Sequence, residues 1–217
     1  MMTKTSYSLA FVFLMFLALL SCSDDELTGS GTIITEELNL PAFTQVDAQD
    51  VMTVNISEGA EQLVELTVNE NLRDKIIIEV DNGTLKLSLA SGSFSNATFE
   101  AQIQLPTLEK VALNDNTDGM VDFTTDQLRI EVSEAASLSL QGSANTLTTI
   151  TQDAAKIDGF SFTTDILETS SSDASELNIS CTSTLNGTVS DAAKVFYKGM
   201  PSNNISLSDN GQVIDAN

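Results

Sequence analysis

Apolar and polar residues alternate with a period of two along most of this chain, in short runs broken by turn-forming residues. A period of two puts successive side chains on opposite faces of a strand, and runs with helical spacing are missing. Before residue 111 the alternation predicts strands over 63–68, 75–80, 84–89 and 99–105. Asn82-Gly83, between two of them, is a tight-turn signal, because both residues tolerate the positive φ that a two-residue hairpin needs. Pro41 and Pro106 mark strand limits, since proline cannot donate to a ladder. This half is expected to supply longer initial rungs and to cover one end of the domain, leaving no bare edge there.

Beyond residue 111 the pattern itself recurs. An acid stands at Asp115, Glu134, Asp153, Asp173, Asp191 and Asp209, with spacings of 19, 19, 20, 18 and 18. Asn114, Ser133, Gln152, Ser172, Ser190 and Ser208 precede these acids, and a small residue follows two later: Thr117, Ala136, Ala155, Ser175, Ala193 and Gly211. Four residues after the acid comes an aliphatic one, at Leu138, Ile157, Leu177, Val195 and Val213; the first copy departs with Gly119. Six residues before it stand Leu128, Leu147, Leu167 and Leu185, with Asn203 in the last copy. A repeat of this length cannot bury its own apolar face, but stacked repeats turn each aliphatic position into a continuous internal column. The expected fold is all-β: a β-solenoid with rungs of 18–20 residues in the C-terminal half, pairing in parallel about 4.8 Å apart. The small residue after each acid points to a tight corner.

The N-terminus changes the picture of where such a domain works. Lys4 is followed by an apolar run over 9–20, shorter than the roughly 20 residues of a membrane-spanning helix. A basic start, a short apolar core and a small residue before the cleavage point read as a signal peptide, 1–21. Leu19-Leu20-Ser21-Cys22 resembles a bacterial lipobox, which makes Cys22 the expected lipidation site and acyl chains the membrane anchor. Ser23, Asp24, Asp25 and Glu26 are similar to an export signal that sends lipoproteins to the outer face of the outer membrane. With Gly29-Ser30-Gly31, residues 22–32 read as a flexible tether, and 33–217 as the domain.

Composition narrows the chemistry. The leader holds one lysine and no acid, so the mature chain is one unit more negative than the −22 of the whole. Such a surface repels nucleic acid, while 41% apolar residues suffice for a core. Histidine is absent, which removes the commonest general base and the usual zinc ligand. Once Cys22 is acylated only Cys181 remains, so no internal disulfide can form. Cys181 continues the alternation of Leu177 and Ile179 and is expected to be a small core residue. No cofactor and no metal is expected.

Four further segments carry a resemblance. Leu40-Pro41-Ala42-Phe43-Thr44-Gln45-Val46 resembles the L-P-x-F-x-x-[IV] opening of the head GIN domain family, also described as "putative auto-transporter adhesin". Asn82-Gly83-Thr84-Leu85, Leu105-Pro106-Thr107-Leu108 and Tyr197-Lys198-Gly199-Met200-Pro201 are similar to its D-G-x-L, L-P-x-L and Y-x-G-x-P segments. The resemblance covers about residues 29–215. The resemblance implies a right-handed, single-stranded parallel β-helix at a cell surface or in the periplasm, and no established biochemical activity. The family carries S-G-S-G-D-[IV] at its corners, whereas this chain has Ser190-Asp191-Ala192-Ala193-Lys194-Val195 and its kin. A role needing close backbone approach at those corners is therefore not carried over.

Three functions follow. The first is a non-enzymatic binding or scaffold module, adhesin-like, on an outer-membrane lipoprotein exposed at the cell surface, with a surface glycan or protein as ligand; the third, after the enzyme below, is an envelope-stress or assembly partner. The second is a carbohydrate-active β-helix enzyme using stacked carboxylates, since retaining glycosidases need two of them about 5 Å apart. Against it, the acids recur in every copy, as a structural corner requires, whereas an active site is a unique exception. The acids are expected to stack as a structural ladder, each accepting corner N–H groups as in an Asx turn. Calcium is the alternative partner, and Lys156 and Lys194 are expected to neutralise part of the charge.

Overall fold

The computed structural model describes residues 26–217. Among these residues, seventeen strands form a two-stranded and a fifteen-stranded sheet, with one 3-10 segment at Glu70–Lys75. The C-terminal half is a parallel β-solenoid of about six turns.

The long strands of the solenoid are β11 (Asp118–Val132), β12 (Ser137–Thr151), β13 (Lys156–Ser171) and β14 (Glu176–Val189). Each covers both sides of a rung and pairs in parallel with the next. Stacking aligns the repeat: Gly119, Leu138, Ile157, Leu177, Val195 and Val213 are successive register partners. So are Leu128, Leu147, Leu167, Leu185 and Asn203. Leu138 to Val195 and the four leucines are all buried, whereas Val213 is half-buried and Asn203 exposed on the last rung. The hydrophobic effect acts on columns here. A leucine buried in one rung packs against its equivalents above and below, so the core runs unbroken along the axis.

The first half is built differently from the longer initial rungs expected of it. Strands β3 (Gln45–Ala48) and β4 (Thr53–Glu58) make a rung with its own corner at Asp50. The chain then leaves the solenoid for β5 (Leu63–Asn69), β6 (Ile76–Asp81), β7 (Thr84–Leu89), β8 (Ser93–Ser95) and β9 (Phe99–Leu105) before returning as β10 (Lys110–Leu113). β7 and β9 stack in parallel below that first rung, while β10 and β11 stack above it. β6 pairs antiparallel with β7, β5 with β9, and β2 (Ile33–Glu37) with β5. The end of the solenoid is thus closed by antiparallel strands. The cause is local: Asn82 and Gly83, at φ 50° and 78°, turn the chain back after two residues, faster than a rung can close.

The tether expectation needs correction from Glu26 onward. β1 (Glu26–Thr28) pairs with β8, and the Asn69 and Asn71 side-chain amides donate to the carbonyls of Ser30 and Thr28. Side-chain hydrogen bonds to main-chain carbonyls fasten this Gly-Ser segment to the cap. Residues 1–25, with the signal peptide, Cys22, Ser23, Asp24 and Asp25, lie outside the described residues.

Candidate functional site

The recurrent acids occupy one corner of every rung. Asp115, Glu134, Asp153, Asp173, Asp191 and Asp209 all have positive φ, between 45° and 61°, and Asp50 joins the column at 71°. From Asp115 on, each is the first central residue of a turn closed by the small residue two positions later. Ala136 N donates to Ser133 O at 3.2 Å, Ala193 N to Ser190 O at 2.9 Å, and Gly211 N to Ser208 O at 2.8 Å. Aspartate and asparagine enter the left-handed region more readily than other side chains, which is why the acid recurs. At Asp191-Ala192 and Asp209-Asn210 both central residues have positive φ. The central peptide there is turned over: Ala192 N bonds forward to Asp209 O, whereas Ala135 N and Ala154 N bond backward to Asp115 O and Glu134 O.

The Asx-turn expectation fails for most of the column. The corner N–H groups above are taken by main-chain carbonyls of the same turn or of a neighbouring rung. Among the described residues only the first two carboxylates of the column accept main-chain N–H groups: Asp50 from Leu89 at 2.7 Å and Asp115 from Asp50 at 3.2 Å. Backbone conformation therefore selects these acids, with hydrogen bonding secondary. Lys156 does not neutralise Asp153 either; its Nζ lies 3.1 Å from Glu176, its register partner on the next rung.

Stacking has an electrostatic consequence. The Asp115 carboxylate beside Glu134, which favours the protonated Glu134 as a hydrogen-bond donor and repels the charged form, and the charge of Asp153 hold the Glu134 carboxyl above its ordinary value. On the flat face, burial pushes Asp47 up, with Lys110 and Lys86 partly opposing. Burial would also raise Glu131, but hydrogen bonds from Lys110 at 2.8 Å and Arg129 at 2.6 Å outweigh it and bring Glu131 down. A carboxyl raised by folding stabilises most below its unfolded value, and that stability is lost as pH climbs through the folded value. Glu131 has the opposite sign, contributing above its unfolded value and losing its contribution as pH falls through the depressed one. The melting temperature should accordingly rise as pH is lowered from neutrality toward 4.5, the ordinary value for Glu134, and fall again once the Glu131 pairs are protonated. Calorimetry at constant ionic strength checks this. Glu134→Asn should raise the melting temperature at neutral pH and flatten the acid-side increase; a monotonic fall from neutrality would contradict the repulsive ladder.

A second corner, not foreseen in the repeat pattern, lies on the other side of each rung. Half-buried Thr125 and buried Ala144, Thr164 and Cys181 stack as register partners there. Thr164 Oγ1 donates to Ile166 O at 2.9 Å, and Cys181 is buried, its thiol pushed up by that burial. The expectation of a small core cysteine describes what is seen. Just outside them, Asp126, Asn145 and Asp165 are exposed; Asn145 Nδ2 donates to Asp126 Oδ1 at 2.9 Å and Thr182 Oγ1 to Asp165 Oδ1 at 2.6 Å. Two open grooves flank this corner. One, of about 550 Å³, runs over Glu109, Gln127, Arg129, Thr146 and Thr148; the other, of about 500 Å³, over Thr124, Ser143, Asn145, Thr163 and Asp165. They share Thr125 and Asp126, so the polar trough at this corner consists of two adjoining grooves.

The sequence profile described as "Putative auto-transporter adhesin, head GIN domain" matches residues 42–201. The chain belongs to the head GIN domain family. Its fold is shared with a "putative adhesin" of Bacteroides fragilis NCTC 9343 (TM-score 0.66, 20% identity, 87% of this chain and 98% of that one covered). A "putative adhesin" of Parabacteroides merdae ATCC 43184 aligns at TM-score 0.56 and 15% identity over 89% of this chain and 100% of its own. A "putative lipid binding protein" of Parabacteroides distasonis ATCC 8503 aligns at TM-score 0.53 and 13% identity, over 88% and 100%. No curated protein matches the chain.

In this head GIN domain the two polar columns have different chemistry. The acid corner is a row of like charges fixed by backbone geometry, and among the described residues no group of three His, Cys, Asp or Glu side chains is gathered as a metal-ligand set. The second corner mixes hydroxyl, amide, carboxylate and guanidinium groups along its two adjoining grooves. Of the expected export residues, Glu26 is the one described, and it pairs with Ser93 in the cap. Asp126, Asn145 and Asp165 were legible in the repeat, each two residues before a column leucine, at spacings of 19 and 20.

Proposed function

We propose that this head GIN domain is a non-enzymatic binding module, held at the surface of a bacterial envelope by a lipid on Cys22, and that it binds a hydroxyl-rich surface polymer along the second corner. The observation that carries the reading is the polar trough of two adjoining grooves that meet at Thr125 and Asp126. Donors and acceptors there repeat at the rung spacing on a rigid body, as recognition of an extended, repetitive ligand requires. The names of the family and of its structural neighbours, which speak of adhesins, support a surface role. The repeat of the stacked carboxylates from rung to rung among the described residues supports a structural corner over an enzyme's single active site.

Two experiments test the two halves of the proposal. Metabolic labelling with a fatty-acid analogue should mark the wild type and leave Cys22→Ala unlabelled and released from membranes; a labelled, membrane-bound Cys22→Ala protein sinks the anchor. Residues 26–217 on a glycan array should retain a ligand that Asp126→Ala with Arg129→Ala loses and Asp191→Asn, at the opposite corner, keeps. Binding indifferent to the trough variant, or no bound glycan at all, refutes the ligand site.

A further inference from the structure

We propose that the C-terminal end of the solenoid is a self-association surface, on which a second copy of this chain docks edge to edge about a twofold axis. This goes beyond the trough and does not depend on it. Among the described residues, the fifteen-stranded sheet has four strands with a single partner: β2 and β6 at the cap, and β16 (Ser202–Leu207) and β17 (Gln212–Asp215) at the far end. Each presents a row of main-chain donors and acceptors that another strand could satisfy, and proteins usually blunt such edges with charge. The cap edges follow that rule, with Glu36 and Glu37 on β2 and Glu79 and Asp81 on β6. The far end does not. β16 reads Ser-Asn-Asn-Ile-Ser-Leu with no charged residue, and β17 carries only Asp215, at its last position.

Apolar surface gathers at the same end. Leu207 is 55% exposed and Met200 94% exposed, beside half-buried Ile205 and Val213. The charge balance identifies the partner. Residues 192–217 hold Lys194, Lys198, Asp209 and Asp215, so they are neutral within a chain of net charge −22. A copy of this acidic molecule meets little like-charge repulsion at that end, whereas stacking it onto the acidic cap edges would be opposed. Twofold contact between identical edges satisfies both strands at once and closes on itself.

Residues 26–217 contain every strand described, so this folded region is the sample for sedimentation velocity across the micromolar range. A monomer–dimer equilibrium is expected, strengthening with added NaCl as salt screens the net charge of the two bodies. Leu207→Glu combined with Met200→Glu should weaken dimerisation by about tenfold or more through like-charge juxtaposition. Both sites are exposed, and unchanged melting curves would confirm that the fold is intact. Ile77→Glu, on the β6 edge and 50% exposed in the wild type, should leave the dimer unchanged. A protein monomeric at every concentration and salt, a dimer lost with Ile77→Glu and kept with the Leu207 variant, or assemblies that grow past the dimer would each overturn the proposal.

Discussion

Leu177→Asp is expected to cost this domain most of its stability. Leu177 is fully buried in the middle of the column formed by Leu138, Ile157 and Val195, and its register partners are Ile157 and Val195. These neighbours offer no cation and no donor to a carboxylate. Burying an unpaired polar or charged group costs several kcal/mol, and lost packing adds to it. For a chain of this size about 1 kcal/mol moves the melting temperature by roughly 2–4 °C, so a fall of more than about 10 °C, or failure to fold, is expected by calorimetry. Ser139→Asp, exposed two rungs earlier on β12, should change stability by no more than about 0.5 kcal/mol. A Leu177→Asp protein melting like the wild type would contradict the stacking register itself.

The second large effect runs against the repeat. The aliphatic column calls for leucine at position 119, and Gly119→Leu would restore the pattern. It is expected to destabilise. A Cβ added at Gly119 would meet Leu113 Cδ1 at 2.4 Å and Leu138 Cδ1 at 3.1 Å. Leu113, fully buried on β10, already fills the space that the missing side chain leaves. Overpacking of this kind typically costs about 1–3 kcal/mol, a fall of several degrees in melting temperature. Leu113→Ala alone should also destabilise, by opening a cavity. The double variant Leu113→Ala, Gly119→Leu should lie above the sum of the two, because one side chain takes the volume vacated by the other. Simple additivity in thermal melts would mean that these residues do not share the space.

What was legible in the sequence followed from translation along one axis. When every rung repeats the last, a period in sequence is a column in space. The inward leucines, the corner acids, the small residue two positions later and the burial of Cys181 could thus all be read from spacing, and the Asn82-Gly83 hairpin from local turn chemistry. The column at Asp126, Asn145 and Asp165 was legible by the same rule, although its residues differ in type, which hid it beside the more uniform acids.

What only the tertiary structure decided lies where translation fails. Asp50 belongs to the acid column as surely as Asp115 does, but 65 residues separate them, because the chain builds the antiparallel cap between two rungs that are adjacent in space. No spacing rule reaches across such an excursion. Gly119 breaks the column because a residue six positions earlier occupies its volume, a packing fact invisible to periodicity. Alternation and spacing set the repeat, because both are properties of a strand and its copies. The cap, the trough at the second corner and the contrast between charged and uncharged edges were decided in three dimensions, where side chains distant in sequence compete for space, hydrogen bonds and water.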